Sequence, residues 1–470
     1  MFLKEVTALL STQLLGRVIR FLYLVLIARY LEPDEVGLYL YGIALYLGVV
    51  GIAQFGQNIF LSERIGKHHH LPRPAVRNSF TLTFISTSLV TVLLSLYIIY
   101  SEMDTGHSFA MLFFAGALFS RTFSAWTRSV YVALKAPGWI PGFEIKFRGL
   151  EAACGFIALA LGGGLLEISA LHFAFWTLEA FLSLLKLESE FPGLVRLSAQ
   201  RRYLTKVISV SKYYLLGTTA LALFGQVAIL LIRHLEIESN YLGYFAVSMQ
   251  LFSTFLIIPE VISNAFLPRL SLSFSQGKVG EDLITAIKLV SIISLLTTIL
   301  STSLGSWAIT FFLGEKYTEA SELFKWLSWA IIPYSLSIFI GKSLNVIGLR
   351  RYSTAIMLIM LIMHSGLIIL FANEHIQFAT IGSLFIASAA GALLFVFRLS
   401  LKFSLNMLDY WKKFTLTSIA AYTIIQYDNQ SLITSVTALI TIAVAIHYLK
   451  MFNSYDNKVI SNEFHKHKPW

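Results

Sequence analysis

Apolar runs long enough to cross a bilayer recur along the whole chain, separated by short polar stretches. The pattern predicts spanning helices near 8–30, 36–58, 79–100, 108–134, 141–163, 168–186, 207–232, 241–267, 284–312, 319–346, 352–372, 376–398, 411–427 and 432–450. The segment at 411–427 is short and flanked by polar residues. Basic residues collect in every second loop: Arg64, Lys67, Arg73 and Arg77 after segment two, Lys135 after four, and Arg196, Arg201, Arg202 and Lys206 after six. Arg269 and Lys278 follow segment eight, Arg350 and Arg351 follow ten, and Lys402 follows twelve. The opposite loops carry only Arg29, Arg233, Lys316 and Lys325 at their margins. Cytoplasmic loops retain an excess of Lys and Arg, so both termini are expected on the cytoplasmic side. No A-x-A-like cleavage site follows a short apolar run, so the first segment reads as uncleaved.

The first segment, ALLSTQLLGRVIRFLYLVLIARY, breaks its own apolar pattern with Arg17 and Arg20. At about 1.5 Å of rise per residue, these guanidinium groups lie on the order of 13–18 Å from the start of the helix. An arginine at bilayer centre costs at least about 2.5–3.5 kcal/mol, so such residues face a bundle interior or a wet cavity. Gln13, Arg17, Arg20 and Tyr23 share one face, because a 4-3-3 spacing keeps them on one side of a helix. Tyr23 reads as packing.

An internal match links the two halves. IARYLEPDEVGLYLYGIAL, from segments one and two, resembles LIRHLEIESNYLGYFAVSMQL, from segments seven and eight, and aligns Gly37 with Gly243. Six segments separate the copies, which predicts two six-helix lobes related by a pseudo-two-fold axis along the membrane normal. The expected division is a first lobe at 1–190, a second at 207–400, an added helix pair at 411–450 and a cytoplasmic tail at 451–470. The fold class is therefore an all-α polytopic membrane protein of about 14 transmembrane helices.

Composition agrees: 56% of the 470 residues are hydrophobic, 13% are charged, and mean hydropathy is +0.71. Soluble domains carry about 25% charged residues. The net charge of +10 is scattered between apolar segments without a recognition module, so no nucleic-acid partner is expected. The single cysteine excludes an internal disulfide.

Further polar residues sit within the apolar segments. Lys212, Thr219, Gln226 and Arg233 recur every seven residues, which predicts one polar face along segment seven. Arg121, Ser124, Arg128 and Tyr131 share a face of segment four, and Gln54, Gln57 and Asn58 end segment two. Arg148 and Glu151 are placed to neutralise each other. Arg29, Arg233, Lys146 and Lys342 lie near segment ends, where long cations snorkel to the headgroups. Glu179 and His364 fall near mid-membrane, where titratable groups relay protons or are satisfied by a neighbouring helix. Gln250, Glu260 and Asn264 flank Pro259, which predicts a kink. His68, His69 and His70 read as a solvated basic loop, with no metal site expected. No phosphate loop, nucleophile elbow or hydrolase motif is present, so no catalysis or cofactor is expected.

Three stretches carry a family resemblance: GRVIRFLYLVLIARYLEPDEVGLYLYGIALYLGVVGIAQFGQ, YLGYFAVSMQLFSTFLIIPEVISNAFLPRLS and FFLGEKYTEASELFKWLSWAIIPYSLSIFIGKSLNVIGLRRY. The pattern resembles the polysaccharide-unit flippases of the Wzx (O-antigen translocase) type in the MOP (MATE-like) superfamily. Two departures stand out: Phe266-Leu267-Pro268-Arg269-Leu270 in the second lobe, and Gln54 ahead of Phe55-Gly56 where family members often carry an acid. The resemblance implies two lobes around a central cavity lined by segments one, two, seven and eight. It also implies alternating access and an undecaprenyl-diphosphate-linked oligosaccharide as cargo in a bacterial inner membrane. On that reading Arg17 and Arg20 hold the diphosphate, helped by Arg121, Arg128 and Lys212, since arginine forks pair with phosphate oxygens. Gln54, Gln57 and Gln226 would bond sugar hydroxyls, and Glu179, His364 and Glu151 are the candidates for ion coupling. The expected partners are the lipid-linked substrate, the bilayer, and a polysaccharide polymerase with its chain-length machinery. Three alternatives stay open. Fourteen segments also match the lipid II flippases, and a drug or ion antiporter is disfavoured because segment one offers arginines rather than carboxylates. The third is a scaffold of the export complex that translocates nothing.

Overall fold

Apolar stretches of this length satisfy their backbone internally, and in a bilayer that leaves helices. The computed structural model describes residues 2–57, 61, 73–101, 105–133, 139–198, 200–235, 237, 239–277, 279–403, 407–427, 432–453, 455–456 and 459. No strand occurs among them. The helices of the first half are α1 (Phe2–Tyr30), α2 (Pro33–Gln54), α3 (Arg73–Ser101), α4 (Thr105–Ala133), α5 (Ile140–Ala160), α6 (Leu165–Glu190), α7 (Arg201–Phe224), α8 (Val227–His234) and α9 (Ser239–Phe255). The second half holds α10 (Ile257–Ser275), α11 (Val279–Leu300), α12 (Ser306–Leu313), α13 (Thr318–Ser328), α14 (Ile331–Val346), α15 (Arg350–Phe371), α16 (Ser383–Phe403), α17 (Leu408–Tyr427) and α18 (Leu432–Tyr448).

Among the described residues, eight helices are long and apolar enough to span a membrane, or up to ten if each bent pair is one span. The chain is a multi-pass membrane protein. Its breaks have local causes. Pro333 lacks the N–H that would bond the Trp329 carbonyl, and α13 and α14 meet there at 53°. Pro259, where a kink is expected, follows the break between α9 and α10 at Leu256, yet Asn240–Ser275 runs as one span and is not one of the two pairs bent by more than 40°.

The chain divides into two compact units, Met1–Ala246 and Val247–Trp470, with the boundary inside α9. In the first, α4 packs along α6, α1 lies on α5, and α2 is surrounded by α3, α4 and α7. Glycines set these approaches. A Cβ on Gly51 would fall 2.7 Å from the backbone of Thr219 in α7, and one on Gly155 in α5 would meet the Tyr23 ring of α1. Gly37 and Gly243, aligned by the internal match, touch: a Cβ on Gly37 would lie 2.8 Å from the Gly243 nitrogen. A Cβ on Gly243 would fall 1.9 Å from the Pro33 carbonyl oxygen.

No rotamer relieves a clash with backbone, so Gly243→Ala is expected to cost about 1–3 kcal/mol. At Gly366, in α15, a Cβ would meet nothing within 4 Å. Gly366→Ala is expected to gain about 0.5–1 kcal/mol in helix propensity. Thermal unfolding of the two variants in detergent checks the contrast: Gly243→Ala melting at or above wild type would disprove the close approach.

In the second unit α11 packs on α10 and α14, α16 lies on α14 and α15, and the α17–α18 hairpin rests on α11. The tail after α18 returns to α11, where Asp456 accepts from Lys288 Nζ at 2.6 Å. A cavity of about 490 Å³ lies between α14, α16 and α17. Its lining, including Trp329, Leu336, Phe385 and Trp411, contains no charged residue.

Candidate functional site: a cationic cluster in the first unit

Ionic side chains on α1, α4, α5 and α6 converge inside the first unit. At the centre is Arg148 of α5, 3% exposed, whose guanidinium lies over the Trp176 ring with Cζ at 3.9 Å from its centroid. One nitrogen donates to Glu151 Oε2, and the other to Glu179 Oε2 of α6 at 2.5 Å. Both carboxylates are 3% exposed. A buried charge persists only when paired, and here one fork serves two carboxylates.

The network continues from Glu151. Its Oε1 bonds His172 Nδ1 of α6 at 2.6 Å, His172 Nε2 meets the Tyr46 hydroxyl of α2 at 3.2 Å, and Arg121 Nη1 of α4 donates to that hydroxyl at 3.0 Å. The directions of these bonds follow from chemistry. Carboxylate oxygens only accept, so neutral His172 carries its proton on Nδ1; the Tyr46 O–H then donates to Nε2, and its oxygen receives Arg121. Arg121 also lies over Trp176, with Cζ at 5.0 Å from the ring centroid.

At the mouth of the cluster the arginines are half-buried. Arg128 donates to Glu144 Oε2 at 2.7 Å, beside a cavity of about 10 Å³ that also touches Glu179. Arg20 has no hydrogen-bond or ion-pair partner among the described residues, and it lies within electrostatic reach of Arg17, Arg121, Arg148 and Glu144. Arg20, Arg121, Arg128 and Arg148 thus share this cluster with Glu144, Glu151 and Glu179, and Arg17 lies one turn from Arg20 on α1. Four arginines meet three carboxylates there, an excess of cations that attracts an anion.

Family models for polysaccharide biosynthesis proteins match residues 2–132 and 152–322. No curated protein matches. Among solved structures, an inward-facing multidrug resistance MATE family transporter of the MOP superfamily is similar over 84% of this chain and 98% of its own, at 13% identity and a TM-score of 0.64. A Vibrio cholerae MATE transporter matches over 84% and 96%, at 12% identity and a TM-score of 0.60. A MOP superfamily transporter from Pyrococcus furiosus, described by the reverse polarity of its binding pocket, matches over 84% and 96% at 14% identity and a TM-score of 0.54. The chain belongs to the polysaccharide biosynthesis proteins, and its fold is similar to that of the MATE transporters.

The residues singled out in this polysaccharide biosynthesis protein fall in several places. Arg17, Arg20, Arg121 and Arg128 gather in the cluster, together with Glu151 and Glu179. Gln54 is half-buried at the end of α2. Gln57 is fully buried and ties that end to α7, its Nε2 donating to Ser211 Oγ at 3.1 Å and to the Phe55 carbonyl at 3.1 Å. His364 lies in the second unit, buried, bonded through Nδ1 to Ser383 Oγ at 2.7 Å. The Lys212 side chain, Asn58 and His68 to His70 lie outside the described residues.

The continuous polar face expected along segment seven is broken. A turn at Gly225-Gln226 separates α7 from α8, which bend by 60°, so Thr219 and Gln226 belong to different helix axes. Lys342 does not reach out to headgroups; its Nζ bonds Glu260 and Asn264 of α10, each at 3.1 Å. Arg29 and Lys146 are exposed.

Sequence reasoning missed Tyr46, Glu144, His172 and Trp176. A signal was present: His172 and Glu179 are seven apart on α6, with Trp176 between them, and Glu144, Arg148 and Glu151 follow a 4-3 spacing on α5. Among the described residues no group of three or more histidine, cysteine or carboxylate side chains is placed to hold a metal ion.

Proposed function

We propose that this chain is a flippase that moves an undecaprenyl-diphosphate-linked oligosaccharide unit from the cytoplasmic to the periplasmic leaflet of a bacterial inner membrane, with both termini cytoplasmic. The observation that carries this reading is the excess of arginine over carboxylate in the cluster inside the first unit, with Arg20 unpartnered among the described residues. A diphosphate brings the complementary charge and the oxygen geometry that guanidinium forks bind. The family match supports a place in polysaccharide biosynthesis.

Arg20 and Arg17 would hold the diphosphate, helped by Arg121, Arg128 and Lys212, and Gln54 and Gln226 would serve sugar hydroxyls; Gln57, expected to do the same, is instead buried and spent on Ser211 and the Phe55 carbonyl. Two six-helix lobes would expose the site to either side in turn, without catalysis or cofactor. A polymerase and chain-length machinery would receive the product.

Purified protein offers the direct test. Farnesyl diphosphate is expected to bind at least about tenfold more tightly than farnesol, the difference a charged hydrogen bond supplies. Equal affinities, followed by tryptophan fluorescence, would remove the anion site from the proposal.

A further inference from the structure

We propose that His172 is a proton-linked positioning residue: it takes up a proton when an anion occupies Arg20 and Arg121, and it acts on Arg121 through Tyr46. This inference rests on the anion-site reading above and names how that site is regulated.

The geometry gives one chain of bonds, Arg121 to Tyr46 to His172 to Glu151, with a single oxygen atom separating the guanidinium from the imidazole. Tyr46, His172 and Glu151 are buried, whereas Arg121 at the end of the chain is half-buried. The groups facing His172 are Glu151 and Arg148 of α5, Arg121 of α4, Tyr39 and Tyr46 of α2, and Trp176 on its own helix. Arg148 alone pairs with both Glu151 and Glu179, so with both carboxyls ionised this buried triad carries one unbalanced negative charge when His172 is neutral. With the site empty, that charge is balanced across the cluster: Arg20 lies within reach of Glu151, and Arg121 within reach of His172.

An arriving anion takes the field of Arg20 and Arg121 for itself. The unbalanced carboxylate then favours an imidazolium at His172, whose Nε2–H donates to the Tyr46 oxygen beside Arg121. Tyr46 has lone pairs for both donors. One proton passes from bulk solvent to Nε2, and the Tyr46 O–H rotates off that nitrogen so that its oxygen accepts; no covalent bond between heavy atoms changes. Linkage makes the effect reciprocal, so a protonated His172 holds the anion more tightly. Binding is thus expected to strengthen as pH falls through the titration of His172, and release to follow when that proton leaves.

The probe is inorganic sulfate, whose charge is constant between about pH 5.5 and 8, where an imidazole changes charge. Sulfate is titrated into the purified full chain at several pH values and followed by tryptophan fluorescence. Wild type is expected to bind about fivefold or more tightly at the acid end, the lower range of ordinary coupling. His172→Gln is expected to bind with an affinity that does not vary with pH. Tyr46→Phe keeps the ring while deleting the bridging oxygen, and it is expected to lose most of the pH dependence; it carries the test if His172→Gln does not fold. Either variant retaining the full wild-type pH dependence overturns the proposal, and so does a wild type that binds sulfate equally at all pH values. Failure of wild type to bind any anion defeats the anion-site reading itself.

Discussion

Cells that depend on this chain for surface polysaccharide are expected to lose most of their export when Arg20 is replaced by alanine, and to regain part of it with lysine. The reason is the difference between Arg20 and its neighbours. Arg148 is committed to Glu151 and Glu179, and Arg128 to Glu144, whereas Arg20 has no bonded partner among the described residues. A hydrogen bond to a charged group contributes about 1.5–3 kcal/mol, so losing it weakens cargo binding by about tenfold or more. Lysine restores the charge as a point without the planar fork, which accounts for a partial rescue. Arg128→Ala is expected to have the smaller effect, because its charge is already neutralised in part. Surface polysaccharide is measured against the amount of each variant in the membrane. Normal export by Arg20→Ala at wild-type abundance would refute the assignment.

Arg148→Leu is expected to be the most destabilising single change in the first unit. It would leave Glu151 and Glu179, each 3% exposed, without their shared cation. Breaking a buried pair by removing one partner costs about 3–5 kcal/mol, because the remaining charge stays buried and uncompensated. Replacing Arg148, Glu151 and Glu179 together by leucine removes the uncompensated charge, and well-packed apolar residues often substitute for a buried ionic group at no loss. The triple variant is therefore expected to melt well above the single variant in detergent while losing transport. If Arg148→Leu melts like wild type, the triad does not hold α5 to α6.

Much of the architecture was legible in the hydrophobic pattern. Each expected apolar segment coincides with one helix or with consecutive helices, because a stretch of about twenty apolar residues in lipid has little choice but to form one. The two arginines in segment one were conspicuous for the same reason: a charge at that depth is costly and seldom incidental. The heptad spacing in segment seven misled, since equal spacing defines a face only while the helix is continuous, and Gly225-Gln226 interrupts it. Lys342 misled in another way. Its position near a segment end marks it as a snorkelling cation, yet α10 brings Glu260 and Asn264 to within bonding distance.

The sequence by itself determined that this is an all-helical, multi-pass membrane protein with cations inside its first apolar segment. Only the tertiary structure decided which of those cations are neutralised. Periodicity reports what lies along one helix, whereas pairing depends on what four different helices bring together. Glu144 and Arg128 meet across α5 and α4, Glu179 reaches Arg148 from α6, and Tyr46 of α2 joins Arg121 to His172. Arg20 and Arg148 look alike in the sequence, each an arginine within an apolar stretch. Packing gives Arg148 two carboxylates in a low-dielectric interior and leaves Arg20 without a bonded partner among the described residues, and that difference turns one into a structural tie and the other into the candidate for the cargo's charge.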